Sequence, residues 1–308
     1  MPSLMSHAVL PLLLRATRAN RPFRTERGAR QRLAERTTRP EAYGPPRLLR
    51  RDVRIDVERV GGWPVYTVRP RSGEPRGGVV YAHGGGWYAE IARQHWELTA
   101  QVAAQAGVAV TVPIYPLVPY GTAAQVVPAF ADLVLRSEQR WGTTALAGDS
   151  AGGQIALSTA ILLRDRDART FPRTPLIAPA LDLSLSNPEI DTVQPHDPWL
   201  GRDGTRVFID LWRARLPLDD PLVSPLAADL TGLGPISLYA GTHDILWPDA
   251  KLLIARAREA GVEVDYHEQE GLVHVYPLTP TPEGRAARAS IVSTLARHIE
   301  GPGRISTP

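Results

Sequence analysis

Residues 144–153, Thr144-Ala145-Leu146-Ala147-Gly148-Asp149-Ser150-Ala151-Gly152-Gly153, run from an apolar strand-like stretch through a glycine-flanked serine into a segment of helical spacing. A strand is expected over Thr144–Ala147 and a helix over Ala151–Arg164, where Ile155, Thr159, Leu162 and Leu163 share one face. Between them stands a G-x-S-x-G pattern, in the strand-to-helix context that its chemistry requires. The two glycines permit a turn tight enough to lift the Ser150 hydroxyl clear of a sheet. The helix start behind it favours developing negative charge. Alone, the pentapeptide also fits the small-residue start of an ordinary helix, so the rest of the chain has to decide.

Working outward, β-rich runs alternate with helical ones. Strands are expected at Val53–Val60 and Trp63–Val68, parted by Gly61-Gly62 as a hairpin turn would part them, and again at Gly78–Ala82 and Val108–Ile114. Further strands follow at Leu176–Leu181, Pro235–Ala240 and Val262–His267. Leu98, Val102 and Ala106 mark a helix stopped by Gly107, and another runs near 123–140. Leu253, Ala257 and Ala260 mark a helix stopped by Gly261, and Ala287, Ile291, Leu295 and Ile299 a terminal one. About eight strands with helices between them predict a mostly parallel sheet covered on both faces. No internal repeat or glycine-serine linker divides the chain, so one domain over 1–308 is expected. One interval breaks the rhythm: between Leu181 and Pro235 lie six prolines and the aromatics Trp199, Phe208 and Trp212. So long an interval is expected to carry helices over the sheet's end rather than bare loop.

The remaining chemistry lies at strand ends. His83-Gly84-Gly85-Gly86-Trp87 directly follows the strand Gly78–Ala82, and three consecutive glycines let backbone N–H groups turn toward an oxygen. A flexible surface loop or a phosphate-gripping nest is the competing interpretation, but no G-K-[ST] is near and Lys251, the only lysine, is far along the chain. A serine needs a base, and the base an acid to hold its tautomer. Asp244, in Gly241-Thr242-His243-Asp244, and His274, in Gly271-Leu272-Val273-His274, each follow a strand, giving the order Ser150, Asp244, His274 of an α/β-hydrolase. Rivals fit less well. His243 adjoins Asp244 too closely, His267 lies inside a strand, and Asp149 should face away from Ser150 and bond the turn. Asp249 is expected to cap a helix beginning near Ala250, and His83 to fix the glycine loop.

Composition narrows the classes. At 308 residues with 43% hydrophobic and 22% charged side chains, the chain is long enough for a sizeable core and is not built for wholesale disorder. Cysteine is absent, excluding thiol nucleophiles, Cys-based zinc sites and iron–sulfur clusters. No H-E-x-x-H, EF-hand loop or Rossmann fingerprint is present, so neither a metal nor another cofactor is expected. Net charge is +3, yet residues 15–54 hold 13 arginines against Glu26, Glu35, Glu41 and Asp52. No aromatic residues alternate with these arginines, so nucleic acid is not the expected partner. The apolar run Ala8–Leu14 is too short to span a bilayer, and its arginines follow rather than precede it, unlike a secretory signal. A cytoplasmic protein without a transmembrane segment is expected, and a homodimer stays open.

Through H-G-G-G-W at 83–87, G-D-S-A-G-G at 148–153, G-T-H-D-I-L at 241–246 and G-L-V-H at 271–274, the chain resembles the hormone-sensitive-lipase-like α/β-hydrolase esterases. The resemblance implies an α/β-hydrolase fold with Ser150, Asp244 and His274 as catalytic triad. It further implies an oxyanion hole of Gly85, Gly86 and the Ala151 amide, and a helical cap from about 1–45 and about 183–230. The implied reaction is hydrolysis of a small-molecule ester, with hydrophobic acyl groups expected and Trp87, Trp199, Trp212 and Tyr276 as candidate pocket aromatics. Hydrolysis of amides, lactones or acetylated natural products would use the same residues, and a non-catalytic binding protein would be expected to lack one of them. Two departures stand out. Tyr115-Pro116-Leu117-Val118-Pro119-Tyr120 lacks the arginine and glutamate of the family's Y-R-L-A-P-E, and Trp247-Pro248 adds bulk expected to narrow the pocket.

Overall fold

A computed structural model describes residues 3–299; residues 1, 2 and 300–308 of the expected domain lie outside them. The chain opens with a π-helical turn, Met5–Val9, running into α1 (Leu10–Ala16), then α2 (Arg21–Arg24) and α3 (Glu26–Thr38). The Thr25 hydroxyl caps α3 by accepting from the Gly28 amide. The sheet begins as the expected hairpin of β1 (Val53–Val60) and β2 (Trp63–Pro70), turning on Gly61 and Gly62. β3 (Gly78–Ala82), α4 (Arg93–Ala106), β4 (Ala109–Pro113), α5 (Ala123–Trp141), β5 (Thr144–Asp149), α6 (Ala151–Asp167) and β6 (Thr174–Ile177) follow. The long interval then holds α7 (Ile190–Val193) and α8 (Arg202–Arg213), after which β7 (Ile236–His243), α9 (Trp247–Glu259), β8 (Val264–Val273) and α10 (Pro282–His298) complete the fold.

The eight strands form one sheet in the order β1-β2-β4-β3-β5-β6-β7-β8. β1, β2 and β4 pair antiparallel and every other neighbouring pair is parallel. Every residue of β3 is buried, and its side chains alternate between two cores: Val79 and Tyr81 on one face, Val80 and Ala82 on the other. α4 and α10 cover the first face, while α5, α6 and α9 cover the second. After β3 and β4 the chain crosses back to lay β5 on the other side of β3. That reversal opens a crevice at the carboxyl ends of the strands, where open α/β sheets place their ligands.

Above those ends the N-terminal helices meet the 183–230 segment. α8 turns Val207, Phe208, Ile209 and Trp212 inward and leaves Arg206 and Asp210 in water. Phe208 stacks on Tyr88 at 4.1 Å between ring centroids, with Phe23 of α2 edge-on to it at 6.0 Å. Burying an aromatic ring of this kind stabilises the contact by roughly 1.5–3 kcal/mol.

Several expected boundaries move. The strand expected over Leu176–Leu181 starts at Thr174 and stops at Ile177, because Ala178 takes a positive φ of 43° and Pro179 follows. The last strand runs to Val273, so His274 emerges directly from its end rather than from a connecting loop. α9 begins at Trp247, with Pro248 in its first turn, so Asp249 is inside the helix and is not its cap.

Candidate active site

Four strand ends deliver the site. β5 ends in Ser150, β7 in the turn holding Asp244, β8 in His274, and β3 in the glycine loop. Three residues far apart in sequence meet here: His274 Nε2 lies 2.8 Å from Ser150 Oγ, and His274 Nδ1 lies 2.7 Å from Asp244 Oδ2. A carboxylate only accepts, so Nδ1 carries the proton and donates it to Asp244, leaving Nε2 to accept from the serine hydroxyl. Asp244 and His274 are buried, at 0% and 4% exposure, so water does not compete for these bonds.

Ser150 sits at φ 53° and ψ −121°, a strained conformation that its surroundings enforce. Its own amide donates to Ile177 O at 2.8 Å, and its carbonyl accepts from Ala180 and Gln154. The flanking glycines are dictated by packing: a Cβ on Gly148 would stand 2.3 Å from Gly152 O, and one on Gly152 would stand 2.1 Å from Ala82 O. The turn therefore presses against both β3 and the first turn of α6. Gly85 and Gly86, at φ 122° and 59°, bend the neighbouring loop around the same spot. Among the described residues the amides of Gly85, Gly86 and Ala151 donate to no other group, so all three remain available to an incoming oxygen.

The two loops are joined by Asp149, whose side chain points away from Ser150 as expected. Its Oδ1 accepts from Tyr81 Oη at 2.6 Å and from the Gly84 amide at 2.9 Å, and its Oδ2 lies 3.2 Å from His95 Nε2. His95 Nδ1 accepts from the Ala92 amide at 2.9 Å, which leaves Nε2 as the ring's donor toward Asp149. Burial alone would raise the Asp149 pKa, but His95, Tyr81 and the Gly84 amide together hold it below the ordinary carboxylate value. His83 does support the glycine loop. It is fully buried with Nδ1 2.8 Å from Gly84 O, stacks on Tyr115 at 4.5 Å, and is pushed down to about 4 by burial and by the nearby His95. Tyr115 donates to His83 O at 2.8 Å, so the stretch lacking the family's arginine and glutamate still braces this loop.

A chamber of about 620 Å³ opens over Ser150. Phe23, Leu183, Leu185, Trp199, Leu200 and Ile209 contribute apolar wall, and Leu10 and Leu14 reach in from the N-terminal helix. Of the expected site residues, Gly85, Gly86, Trp87, Ser150, Ala151, Trp199 and His274 line it, while Asp244 stands behind His274. Trp212 and Tyr276 do not line it. Trp212 is fully buried and, like Trp87, donates its indole N–H to Gln154 Oε1, at 3.0 and 3.1 Å. Tyr276 turns toward β8, its hydroxyl 3.5 Å from His267 O. Nor does Trp247 narrow the chamber; its indole donates to Tyr266 and Glu268 on β8, outside the lining.

Asp197 is a functional neighbour that sequence analysis missed. Fully buried, it accepts the Trp199 and Leu200 amides on Oδ1, both at 2.8 Å, and the Ile245 amide on Oδ2 at 3.0 Å. Its carbonyl accepts from Arg24 of α2. The local signal was present, since an aspartate ahead of a proline that bonds amides two and three residues on is an Asx turn. Its reach to Ile245 is tertiary. Burial, and then the adjacent Asp244 charge, push the Asp197 carboxyl up. For His274, burial pulls the pKa down, but the charge and hydrogen bond of Asp244, aided by Asp197, carry it above the ordinary histidine value. Among the described residues no cluster of three or more His, Asp or Glu side chains is arranged for a metal.

This sheet, crevice and serine turn define a class. Residues 79–278 match the family described as "alpha/beta hydrolase fold", and the chain belongs to that family. A carboxylesterase of Mycobacterium tuberculosis, NlhH, is 31% identical over 268 residues, covering 80% of this chain and 81% of the relative. An acetyl-hydrolase of Streptomyces hygroscopicus is 29% identical over 255 residues, covering 80% and 84%. A crystal structure of an esterase from the bacterial hormone-sensitive lipase family superposes with a TM-score of 0.75 at 26% identity, covering 89% of this chain and 90% of that one. Within the hydrolase fold, the chain is a member of the hormone-sensitive-lipase-like esterases. No helix among the described residues is long and apolar enough to cross a membrane.

Proposed function

We propose that this carboxylic ester hydrolase cleaves hydrophobic acyl esters, with Ser150 as nucleophile, His274 as general base and acid, and Asp244 as the residue that holds the imidazole. The observation carrying this reading is the Ser150–His274–Asp244 relay, closed at 2.8 and 2.7 Å and opening onto a predominantly apolar chamber. Ser150 Oγ attacks the ester carbonyl as Nε2 of His274 takes its proton. The imidazolium so formed is stabilised by Asp244. Charge developing on the carbonyl oxygen is met by the Gly85, Gly86 and Ala151 amides, at the N-terminus of α6. His274 returns the proton to the leaving alcohol, and a water activated by the same ring then attacks the acyl-enzyme. Each donor is held in place before substrate arrives, which is where most of the rate gain of such sites originates.

Residues from about 1 to 45, of which 3–45 are described, and from about 183 to 230 serve as the cap over one catalytic domain; the contact of Phe23 with Phe208 and the lining of the chamber by both segments support that division. Steady-state hydrolysis of a p-nitrophenyl ester series tests the chemistry: Ser150→Ala should lose at least about 10⁴-fold in kcat. Undiminished turnover in that variant would remove Ser150 from the mechanism.

A further inference from the structure

Among the described residues, half of the exposed large hydrophobic side chains lie within ten residues of one another: Leu4, Met5, Val9, Leu12 and Leu13, with Leu4 at 77% and Leu12 at 68% exposure. Their spacing is that of one helix face, completed by the exposed Ala8. The opposite face is occupied. The Ser6 and Ser3 hydroxyls donate to Glu283 of α10 at 2.6 and 2.9 Å, and Leu10 and Leu14 line the chamber over Ser150. The helix is thus fastened to the body on one side, apolar on both, and forms part of the chamber wall. No acidic residue falls between Ser3 and Thr25, whereas Arg15, Arg18 and Arg21 are exposed there, followed by exposed Arg27 and Arg30. Arg15, Arg18 and Arg27 hold no carboxylate partner among the described residues.

We propose that the face formed by Leu4, Met5, Val9, Leu12 and Leu13 docks this protein on an anionic lipid surface, setting the chamber mouth against the membrane from which it draws ester substrate. Apolar side chains flanked by unpaired arginines are the composition that lies in the headgroup region rather than spanning it. Charge complementarity selects an anionic leaflet over a second copy of this chain, whose matching surface would bring the same arginines together. Each arginine brought to such a surface strengthens binding by about fivefold at moderate salt. Delivery of ester to Ser150 rests on the hydrolase reading above; the docking does not.

Co-sedimentation with vesicles of phosphatidylcholine and phosphatidylglycerol in a two-to-one ratio tests the docking. The intact chain should partition onto them, weakly onto pure phosphatidylcholine, and less as salt rises. Leu12→Asp combined with Leu13→Asp should lower the partition by about tenfold or more, whereas Leu252→Asp, on the exposed side of α9, should leave it unchanged. Because Leu12 and Leu13 are solvent-facing and outside the chamber lining, the double variant should keep its thermal unfolding midpoint and its turnover of water-soluble p-nitrophenyl butyrate. It should lose turnover of an ester embedded in the vesicles. Absence of vesicle binding by the intact chain, or equal binding by the double variant, overturns the proposal, as does a dimer in gel filtration that the two aspartates dissociate without vesicle binding. Vesicle binding by a protein that hydrolyses neither ester would leave the docking standing and defeat the catalytic reading instead.

Discussion

Gly84→Ala should disable catalysis without touching any residue of the triad. Gly84 sits where the loop from β3 passes the turn holding Ser150, and a Cβ there would lie 2.2 Å from Asp149 Oδ2 and 2.9 Å from Asp149 O. Neither atom can yield cheaply. Oδ2 is held by His95 at 3.2 Å, Oδ1 by Tyr81 and by the Gly84 amide itself, and the backbone oxygen belongs to β5. The loop must therefore retreat by about 1 Å to restore ordinary contact, taking the Gly85 and Gly86 amides with it. A misplacement of that size costs on the order of 10²-fold in rate, or about 2.7 kcal/mol of transition-state stabilisation. The assay is kcat and KM on p-nitrophenyl butyrate, beside a circular-dichroism melt to establish that the variant is folded. A roughly hundredfold fall in kcat with little change in KM is expected, because the amides act on the oxyanion rather than on the bound ester. A folded variant with kcat within threefold of the parent would refute the coupling of this loop to the chemistry.

The acid limb of kcat/KM should have its inflection above 6.5, the ordinary histidine value, because His274 must be neutral to accept the serine proton and its pKa is raised by Asp244 against the pull of burial. Asp244→Asn removes that support, so the inflection should move down while kcat falls by about 10⁴-fold; a pH–rate profile of both proteins decides it, and an unmoved inflection contradicts the assignment. Gln154→Leu leaves the buried indole N–H groups of Trp87 and Trp212 without their shared acceptor. At about 1–3 kcal/mol for each stranded donor, urea unfolding should show a stability loss of roughly 2–6 kcal/mol; a loss below 1 kcal/mol would mean that water or a rearranged side chain replaces Gln154.

What could be seen in the sequence was whatever local chemistry dictates. Ser150 was legible because Gly148 and Gly152 mark a turn that few other residues fit, and Asp244 and His274 because each comes after a β-rich run in the order such a triad requires. The glycine loop at 83–87 was legible for the same reason. What was hidden depends on which way a side chain faces once distant elements pack. Trp212 falls in the right segment for a pocket aromatic, yet its indole N–H turns to Gln154 on α6, and Tyr276 turns to β8. Pro248 marks the true start of α9 and so sets Asp249 inside the helix; the structure buries that side chain, with Oδ1 accepting from Asn187 Nδ2 at 2.8 Å. The ties from Asp149 to His95 and from Asp197 to Ile245 cross gaps of 54 and 48 residues, beyond any periodicity or spacing rule.

The bonds made by Asp197 also bear on how molecules enter and leave. One carboxylate ties the Trp199–Leu200 turn to the backbone beside Asp244, so the roof from 183 to 230 cannot swing without dragging on the acid that aligns His274. Such a roof behaves as a fixed rafter rather than a hinged door. Traffic of ester and alcohol then falls to the first helices, which are tied to the roof by the Arg24 contact and the Phe23 edge and to α10 by the serine bonds to Glu283. Breathing of that flap would widen the entrance while the proton relay stays in register.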